Sequence, residues 1–275
     1  MSMVTEREPA GNGGAPALEK GLDLLEALSA EPGGLTQKQL ASRLGRSVGE
    51  IFRMLGTLQR RGYIERDPKT GEYALTLQLF QLATQHPPTR RLQQVALPAM
   101  DRLAAATGLA CHLSMANGGQ FLIVAQAEPP RPMGWTVKLG AVFPFAMAYV
   151  SARVIAAFQT GHRRAEMVRI LVEHGDQPAE QVTQRLDAIA DAGYDLAPSE
   201  IAGGLIDLSF PVLDLHGHAV AALTLPFVPR LGVHVEAADV VPPLRIAATE
   251  ISRNIGGSLG RSEGPAELAK EGKKT

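Results

Sequence analysis

Cysteine is almost absent from this chain of 275 residues, and its scarcity limits the class of protein that the chain can be. Cys111 is the single cysteine, so no disulfide can form within the chain. Small secreted domains that depend on several disulfides are therefore excluded. A reducing compartment fits this composition, and we expect a cytoplasmic protein.

Long hydrophobic runs are also lacking. The longest apolar stretch, FPFAMAYVSARVIAAF, is interrupted by Arg153 and is shorter than a membrane span. Residues 1–15 have neither a basic start followed by an apolar stretch nor a cleavage signal, and we interpret them as a disordered leader. The sequence therefore predicts a soluble protein with no membrane partner.

Net charge is nearly zero over the whole chain, but it is unevenly distributed. The formal net charge is -1, whereas residues 36–75 contain eight Lys and Arg against four Asp and Glu. This segment therefore carries +4 and the remainder carries -5. A basic segment on an acidic body is typical of a protein that binds the phosphates of nucleic acid.

Two helix start signals lie in the basic segment. Thr36 and Gln39 match a capping box, in which a hydroxyl and the side chain three residues later bind free backbone N–H groups. Ser47 and Glu50 repeat the pattern at the start of a helix that carries several arginines. The segment therefore predicts two short helices in close succession.

A third helix and a hairpin flank these two helices. Leucines 18, 22, 25 and 28 recur at spacings of four and three, which predicts an amphipathic helix. After Gly62, the stretches YIER and EYAL alternate apolar and polar residues around DPKTG, which predicts a two-stranded hairpin. Together these elements predict a winged helix-turn-helix domain over residues 16–76.

Two consecutive prolines, at positions 87 and 88, predict a domain boundary because proline disrupts a helix interior. We interpret residues 77–90 as a linker helix. Residues 91–256 mix helices with antiparallel strands, one of them at GWTVKLG, and predict an α+β domain of the sensor type. Residues 257–275 are predicted to be a disordered tail.

Four blocks of the sequence resemble the IclR family of transcriptional regulators: LEKGLDLLEAL, LTQKQLASRLG, FRMLGTLQRRGYIERDPKTGEYALT and DAGYDLAPSEIAGGLIDLSFPVLDLHGHAVAAL. Their order and spacing carry the resemblance from about residue 17 to residue 255. The resemblance implies an N-terminal winged helix-turn-helix domain and a C-terminal GAF-like α/β domain that binds a small-molecule effector. It also implies a regulator of a catabolic operon that binds a palindromic DNA operator as a homodimer or dimer of dimers.

DNA contacts are expected at the helix starts and in the wing. Arg53, one turn into its helix, is expected to contact a phosphate or a guanine edge, and Lys69 marks the tip of the wing. The candidate DNA-binding residues are Thr36, Gln37, Arg46, Ser47, Val48, Gly49, Arg53 and Lys69. A solvated basic helix face is the alternative interpretation of the arginines.

Effector contacts are assigned by resemblance to two strands and one loop. The candidates are Gly140, Phe145, Ala148, Asp207, Ser209, Thr224 and Pro226. Where the family favours His, Thr and a Gly-Lys pair, this chain reads PFAMAYVSARV, which indicates a more apolar pocket. A carboxylate at Asp207 favours a neutral, amine-bearing or hydroxylated aromatic effector over a small diacid, unless Asp207 is a hydrogen-bonded structural acid.

Catalytic and metal-binding constellations are not evident. Cys111 and His112 are neighbours on a predicted strand and therefore point to opposite faces. His216 and His218 lie in a predicted turn without a third ligand nearby. We expect no cofactor, no metal and no enzymatic activity. Two alternatives stay open: a DNA-binding protein whose second domain only oligomerises, and an enzyme with an accessory winged helix.

Overall fold

The computed structural model describes residues 15–85, 87–129, 135–200, 202–228 and 237–257. Apart from residues 15 and 257, the predicted leader and the predicted tail lie outside the described residues. The chain divides into two compact units, Met1–Pro87 and Pro88–Thr275. The division falls within residues 77–90, the segment that we interpret as a linker helix.

The first unit combines short helices with a three-stranded antiparallel sheet of order β1-β3-β2. Its elements are α1 (Pro16–Ser29), β1 (Leu35–Thr36), α2 (Gln37–Arg43), α3 (Val48–Arg60), β2 (Ile64–Arg66), β3 (Glu72–Leu75) and α4 (Gln78–Gln85). The predicted hairpin is β2 and β3, paired from Ile64 opposite Leu75 to Arg66 opposite Tyr73. The winged helix-turn-helix arrangement predicted from the sequence is confirmed.

The core of the first unit excludes part of the predicted leucine stripe. Its largest buried residues are Leu24, Leu28, Leu35, Leu40, Ile51, Leu55, Ile64 and Tyr73. Leu18 and Leu22, by contrast, are 63% and 45% exposed. The predicted amphipathic helix is formed as α1, but these two leucines of its apolar pattern lie outside the core, because α1 contributes its buried face from Leu24 onward.

The double proline begins a helix as well as ending one. Helix α4 ends at Gln85, and helix α5 (Pro87–Thr107) begins at Pro87. Proline suits the first turn because the missing N–H has no partner inside the helix there. Pro98 lies inside α5, so the helix continues beyond it.

The second unit is built on a six-stranded antiparallel sheet of order β6-β5-β4-β9-β8-β7. After α5, its elements are β4 (Cys111–Asn117), β5 (Gln120–Ala127), β6 (Val142–Pro144), α6 (Val150–Ala157), α7 (Gly161–Glu173), α8 (Ala179–Ala192), β7 (Asp195–Pro198), β8 (Ile206–Leu213), β9 (Ala219–Phe227) and α9 (Ala237–Asn254). The predicted α+β class is confirmed.

Two apolar cores lie on the two faces of this sheet. Helices α5 and α9 share one core with Leu113, Phe210 and Leu223. Helices α6, α7 and α8 share the other with Phe121 and Ala222. Consecutive strand residues such as Ala222 and Leu223 enter different cores because side chains alternate across a strand.

The structure differs from the sequence prediction at two strands: one lies later in the chain than predicted, and one was not predicted. Residues 135–140, the described part of GWTVKLG, form no strand, and the strand next to β5 is β6, at Val142–Pro144. Of the alternating apolar residues there, Val137 packs against the core of α6, α7 and α8, whereas Trp135 and Leu139 are exposed. Strand β7 was not predicted, because its buried Asp195 interrupts the apolar signal.

Candidate functional site

Both predicted capping boxes are formed in the first unit. The backbone N–H of Thr36 donates to Gln39 Oε1 at 2.8 Å, and that of Gln39 donates to Thr36 Oγ1 at 3.4 Å. Ser47 and Glu50 make the same reciprocal bonds at 2.8 and 3.3 Å. Because satisfied N-terminal groups stabilise a helix start, the beginning of α3 is well defined.

The Glu50 side chain has hydrogen-bond partners within the first unit and caps the start of α3. Hydrogen bonds from the Ser47 backbone and hydroxyl, helped by Lys20, lower the pKa of Glu50 to about 2. Lys20 Nζ donates to Glu50 Oε1 at 3.1 Å. The Glu50 carboxylate therefore forms an ion pair with Lys20 of α1 at the start of α3.

The predicted DNA-binding residues divide into structural and exposed groups. Thr36 and Ser47 cap their helices, and Gln37 Nε2 donates to the Val48 carbonyl at 3.2 Å. Arg46 Nη2 pairs with Asp23 Oδ2 at 2.9 Å. The remaining four candidates are exposed: Val48, Gly49, Arg53 and Lys69.

A cavity of about 290 Å³ opens on the face of the second unit's sheet that α6 covers, and Val150 and Ser151 of α6 line it. Aromatic side chains form much of its wall: Phe121, Trp135, Phe143 and Tyr149. Phe121 packs against Phe143 with ring centroids 5.3 Å apart, and edge-on against Tyr149 at the same distance. Such a wall suits a flat apolar molecule.

Three of the predicted effector residues line this cavity: Asp207, Thr224 and Pro226. Thr224 Oγ1 lies 2.8 Å from Ser151 Oγ, which also lines the cavity. On its other side Thr224 Oγ1 lies 2.9 Å from Ser209 Oγ. Ser209 is thus fully buried beneath Thr224 and supports it, because neighbouring strands place the two residues opposite each other.

Asp207 is the acidic residue of the cavity wall. Burial raises the pKa of its carboxyl, while a hydrogen bond with Ser199 and the charge of Arg153 oppose the rise. A carboxyl of this kind is easier to protonate than an exposed one. It can therefore accept a hydrogen bond from a ligand as the carboxylate, or donate one when it is neutral.

His112 lines the same cavity and was not among the predicted effector residues. It lies opposite Thr224 in the pairing of β4 with β9. Burial lowers the pKa of the imidazole to about 4, so the ring is neutral at pH 7. In CHLSM, His112 and Ser114 are polar residues two apart on a buried strand, and this spacing could have indicated a shared polar face.

The other predicted effector residues lie elsewhere. Phe145 is 1% exposed and belongs to the core of α6, α7 and α8. Ala148 lines a separate cleft of about 660 Å³ together with Arg153 and His174. Gly140 has a φ of +79° and forms a turn before β6. None of these three lines the aromatic cavity, so the wall expected there is formed by residues 135–138, Ala141 and Phe143.

A buried ion pair joins helix α6 to strand β7 in the second unit. Asp195, 2% exposed, accepts from Arg153 Nε at 2.6 Å and from Arg185 Nη2 at 2.5 Å. The Arg153 guanidinium also donates to the Met147 carbonyl. Arg153 thus ties α6 to β7.

Comparisons with known proteins match both units. The IclR helix-turn-helix domain matches residues 17–68, and the bacterial transcriptional regulator IclR C-terminal domain matches residues 88–253. The chain belongs to the IclR family. This confirms the resemblance found in the sequence and the predicted function as a ligand-responsive, DNA-binding transcriptional regulator.

Curated IclR relatives align over most of their length. The glycerol operon regulatory protein of Streptomyces griseus is 27% identical, covering 87% of this chain and 96% of that protein. The DNA-binding transcriptional repressor YiaJ of Escherichia coli is 24% identical, covering 92% of each chain. Both names are those of regulators.

Solved structures share the fold at lower identity. An IclR homologue from Microbacterium hydrocarbonoxydans, solved with 4-hydroxybenzoate, superposes with a TM-score of 0.70 and 21% identity, covering 87% of this chain and 98% of that one. The IclR of Thermotoga maritima has a TM-score of 0.68 and 20% identity, covering 88% of this chain and 99% of that one.

Among the described residues of the present chain, no helix is long and apolar enough to cross a membrane.

Proposed function

We propose that this IclR-family protein binds a palindromic duplex operator through α3 and the wing, and that an aromatic effector in the cavity changes this binding. The observation that carries the DNA half is an exposed Arg53 on a helix whose start is fixed by a complete capping box. A recognition helix reads base edges in the major groove while flanking cations hold phosphates.

The contacts around α3 support distinct roles for the candidates. Arg53 is the proposed base or phosphate contact, and Lys69 in the β2–β3 turn is the proposed backbone contact. Val48 and Gly49 present the exposed start of α3 to the groove. Thr36, Gln37 and Ser47 hold α2 and α3 in place. We assign Arg46 to positioning, because its charge is paired with Asp23.

Replacing Arg53 with alanine is expected to weaken operator binding by about 1 to 3 kcal/mol without unfolding the protein. The side chain is exposed, so its loss removes a contact with DNA and no core packing. Fluorescence anisotropy at several salt concentrations, with a duplex selected by the full-length chain, measures the change. Loss of a phosphate contact lowers the salt slope by about 1, whereas loss of a guanine contact relaxes the sequence preference.

Arg163→Ala is the matched control for Arg53→Ala, because it removes an exposed cation from α7 of the second unit. It is expected to leave the affinity unchanged. Equal binding by the Arg53→Ala variant and the wild type would remove Arg53 from the contact surface. A full-length chain that selects no duplex sequence would overturn the proposed operator function.

The cavity supports an effector with an aromatic body and one polar group. Its volume of about 290 Å³ and its aromatic wall match a single ring, and its polar end holds His112, Thr224 and Asp207. No described group hydrogen-bonds to the His112 ring, so a ligand is free to do so. The neighbour solved with 4-hydroxybenzoate adds a hydroxylated aromatic acid to the phenols and aromatic amines to be tested.

Thermal denaturation in the presence of phenols, aromatic amines and 4-hydroxybenzoate tests the effector half. A compound at one hundred times its dissociation constant is expected to stabilise the protein by about 2.7 kcal/mol. Ala141→Phe, which fills the cavity, should abolish the shift, whereas Ala148→Phe, in the separate cleft, should preserve it. A shift that survives Ala141→Phe would place the binding site elsewhere, and the absence of any shift would favour a second domain that only oligomerises.

We also propose that the protein acts as a homodimer or dimer of dimers in the cytoplasm and has no catalytic activity. Apolar side chains exposed on α1, on α4 and immediately before α4 support self-association: Leu18, Leu22, Leu77, Phe80 and Leu82. Burial raises the pKa of the Cys111 thiol to about 12, which supports a structural role for it. The effector can change DNA binding only if its affinity differs between two conformations of the protein that also differ in their affinity for DNA.

A further inference from the structure

One face of α3 carries four residues at the spacing i, i+3, i+4 and i+7: Gly49, Phe52, Arg53 and Gly56. This spacing places them together on a helix. The face lies nearly opposite Ile51 and Leu55, which are buried in the core of the first unit. Phe52 and Arg53 therefore project from a face that has glycines at both ends.

Phe52 is 63% exposed, although phenylalanine is among the residues that proteins most often bury. A side chain built at Gly49 would meet no atom within 4 Å, and one at Gly56 would meet only the Arg60 guanidinium, at 3.7 Å. Both glycines thus leave open space beside the helix backbone, one turn before and one turn after Phe52. A flat surface can approach this face closely at Phe52 and Arg53.

The chemistry of the face fits the floor of a major groove. Arg53 can bind the O6 and N7 acceptors of guanine, and the C5-methyl group of thymine is the apolar feature that a phenylalanine can contact there. The surrounding segment, residues 36–75, carries a net charge of +4, which complements phosphates rather than another basic surface. An apolar and a cationic side chain next to each other therefore match a thymine next to a guanine.

We propose that Phe52 is a specificity-determining residue that packs against the methyl group of a thymine next to the base contacted by Arg53. The inference rests on the proposed operator function and adds to it the identity of one base. The DNA contacts predicted on this helix were Val48, Gly49 and Arg53. Phe52 was not among them, and an apolar residue in an amphipathic helix is ordinarily assigned to the core.

Uracil substitution tests the contact directly. A duplex selected by the full-length chain is remade with each thymine replaced in turn by deoxyuridine, which lacks only the C5-methyl group. Wild-type affinity is expected to fall about fourfold at the contacted position, the change that corresponds to one buried methyl group. The Phe52→Ala variant should bind the thymine and uracil duplexes equally well.

Arg53→Ala is the matched control, because it should weaken binding and keep the preference for thymine over uracil. Phe52→Leu should retain part of that preference. The assignment is overturned if no uracil substitution changes the affinity of the wild type. It is also overturned if the Phe52→Ala variant keeps the preference for thymine, or if sedimentation shows that the variant changes only in its oligomeric state. Failure to select any duplex contradicts the proposed operator function instead, so the two failures are distinguishable.

Discussion

Replacing Asp195 with alanine is expected to lower the free energy of unfolding by about 3 to 5 kcal/mol, because it leaves a buried cation without its partner. The Arg153 side chain is 8% exposed and that of Asp195 is 1% exposed. Arg153 Nε donates to Asp195 Oδ2 at 2.6 Å, and the Arg153 guanidinium cannot lose its proton to avoid the cost. Urea denaturation of the full-length chain, followed by circular dichroism, measures the loss.

Arg185→Ala is the matched control for Asp195→Ala. The Arg185 side chain is 45% exposed, so its removal breaks one bond to Asp195 and is expected to cost about 1 kcal/mol or less. The double variant Arg153→Met with Asp195→Leu should recover most of the stability, since apolar replacement of both partners removes the uncompensated charge. Equal losses in Asp195→Ala and Arg185→Ala would show that the buried pair adds nothing beyond a surface contact.

Acidification is expected to destabilise the second unit through His112. Its pKa is lowered from 6.5 to about 4 because burial disfavours the charged ring. The unfolded chain therefore takes up a proton at a higher pH than the folded chain does. The stability that the neutral ring maintains is complete above pH 6.5 and is lost as the pH falls towards 4, by about 3 kcal/mol in all.

His112→Asn should remove this part of the pH dependence. The free energy of unfolding, measured by urea denaturation between pH 7 and pH 4, should fall less steeply in the variant than in the wild type. His216→Asn, at an exposed turn, is the control and should follow the wild type. Parallel curves for wild type and His112→Asn would contradict a neutral buried imidazole in the folded protein.

Exposure on the DNA-binding unit has a different meaning from exposure on an ordinary helix. Phe52 is apolar and exposed, and Arg46 is cationic and paired with Asp23. A pattern that assigns every apolar residue to the core would bury Phe52, and one that assigns every cation to DNA overlooks the pairing of Arg46 with Asp23. Burial and pairing, which depend on the neighbouring helices, distinguish the proposed base contacts from the residues that hold the helix.

Much of the aromatic cavity could not be predicted because its wall comes from segments far apart in sequence. His112 and Thr224 lie opposite each other only because β4 pairs with β9. Phe145 was expected in the wall and instead packs in the core of α6, α7 and α8. The apolar character of the segment around it was predicted, but the direction of each side chain depends on the turn at Gly140 and on the short strand β6.

Local sequence signals were enough to predict the starts of α2 and α3, the wing hairpin and the basic character of the first unit. Capping boxes, turns and alternation depend on residues within a few positions of one another, so their signals are complete in the local sequence. The exposure of Leu18 and Leu22, the place of His112 in the cavity wall and the pairing of Arg153 with Asp195 depend instead on how the elements pack together. Strand register and helix packing bring together residues that are distant in the chain, and a local sequence pattern does not specify which distant residue will be the partner.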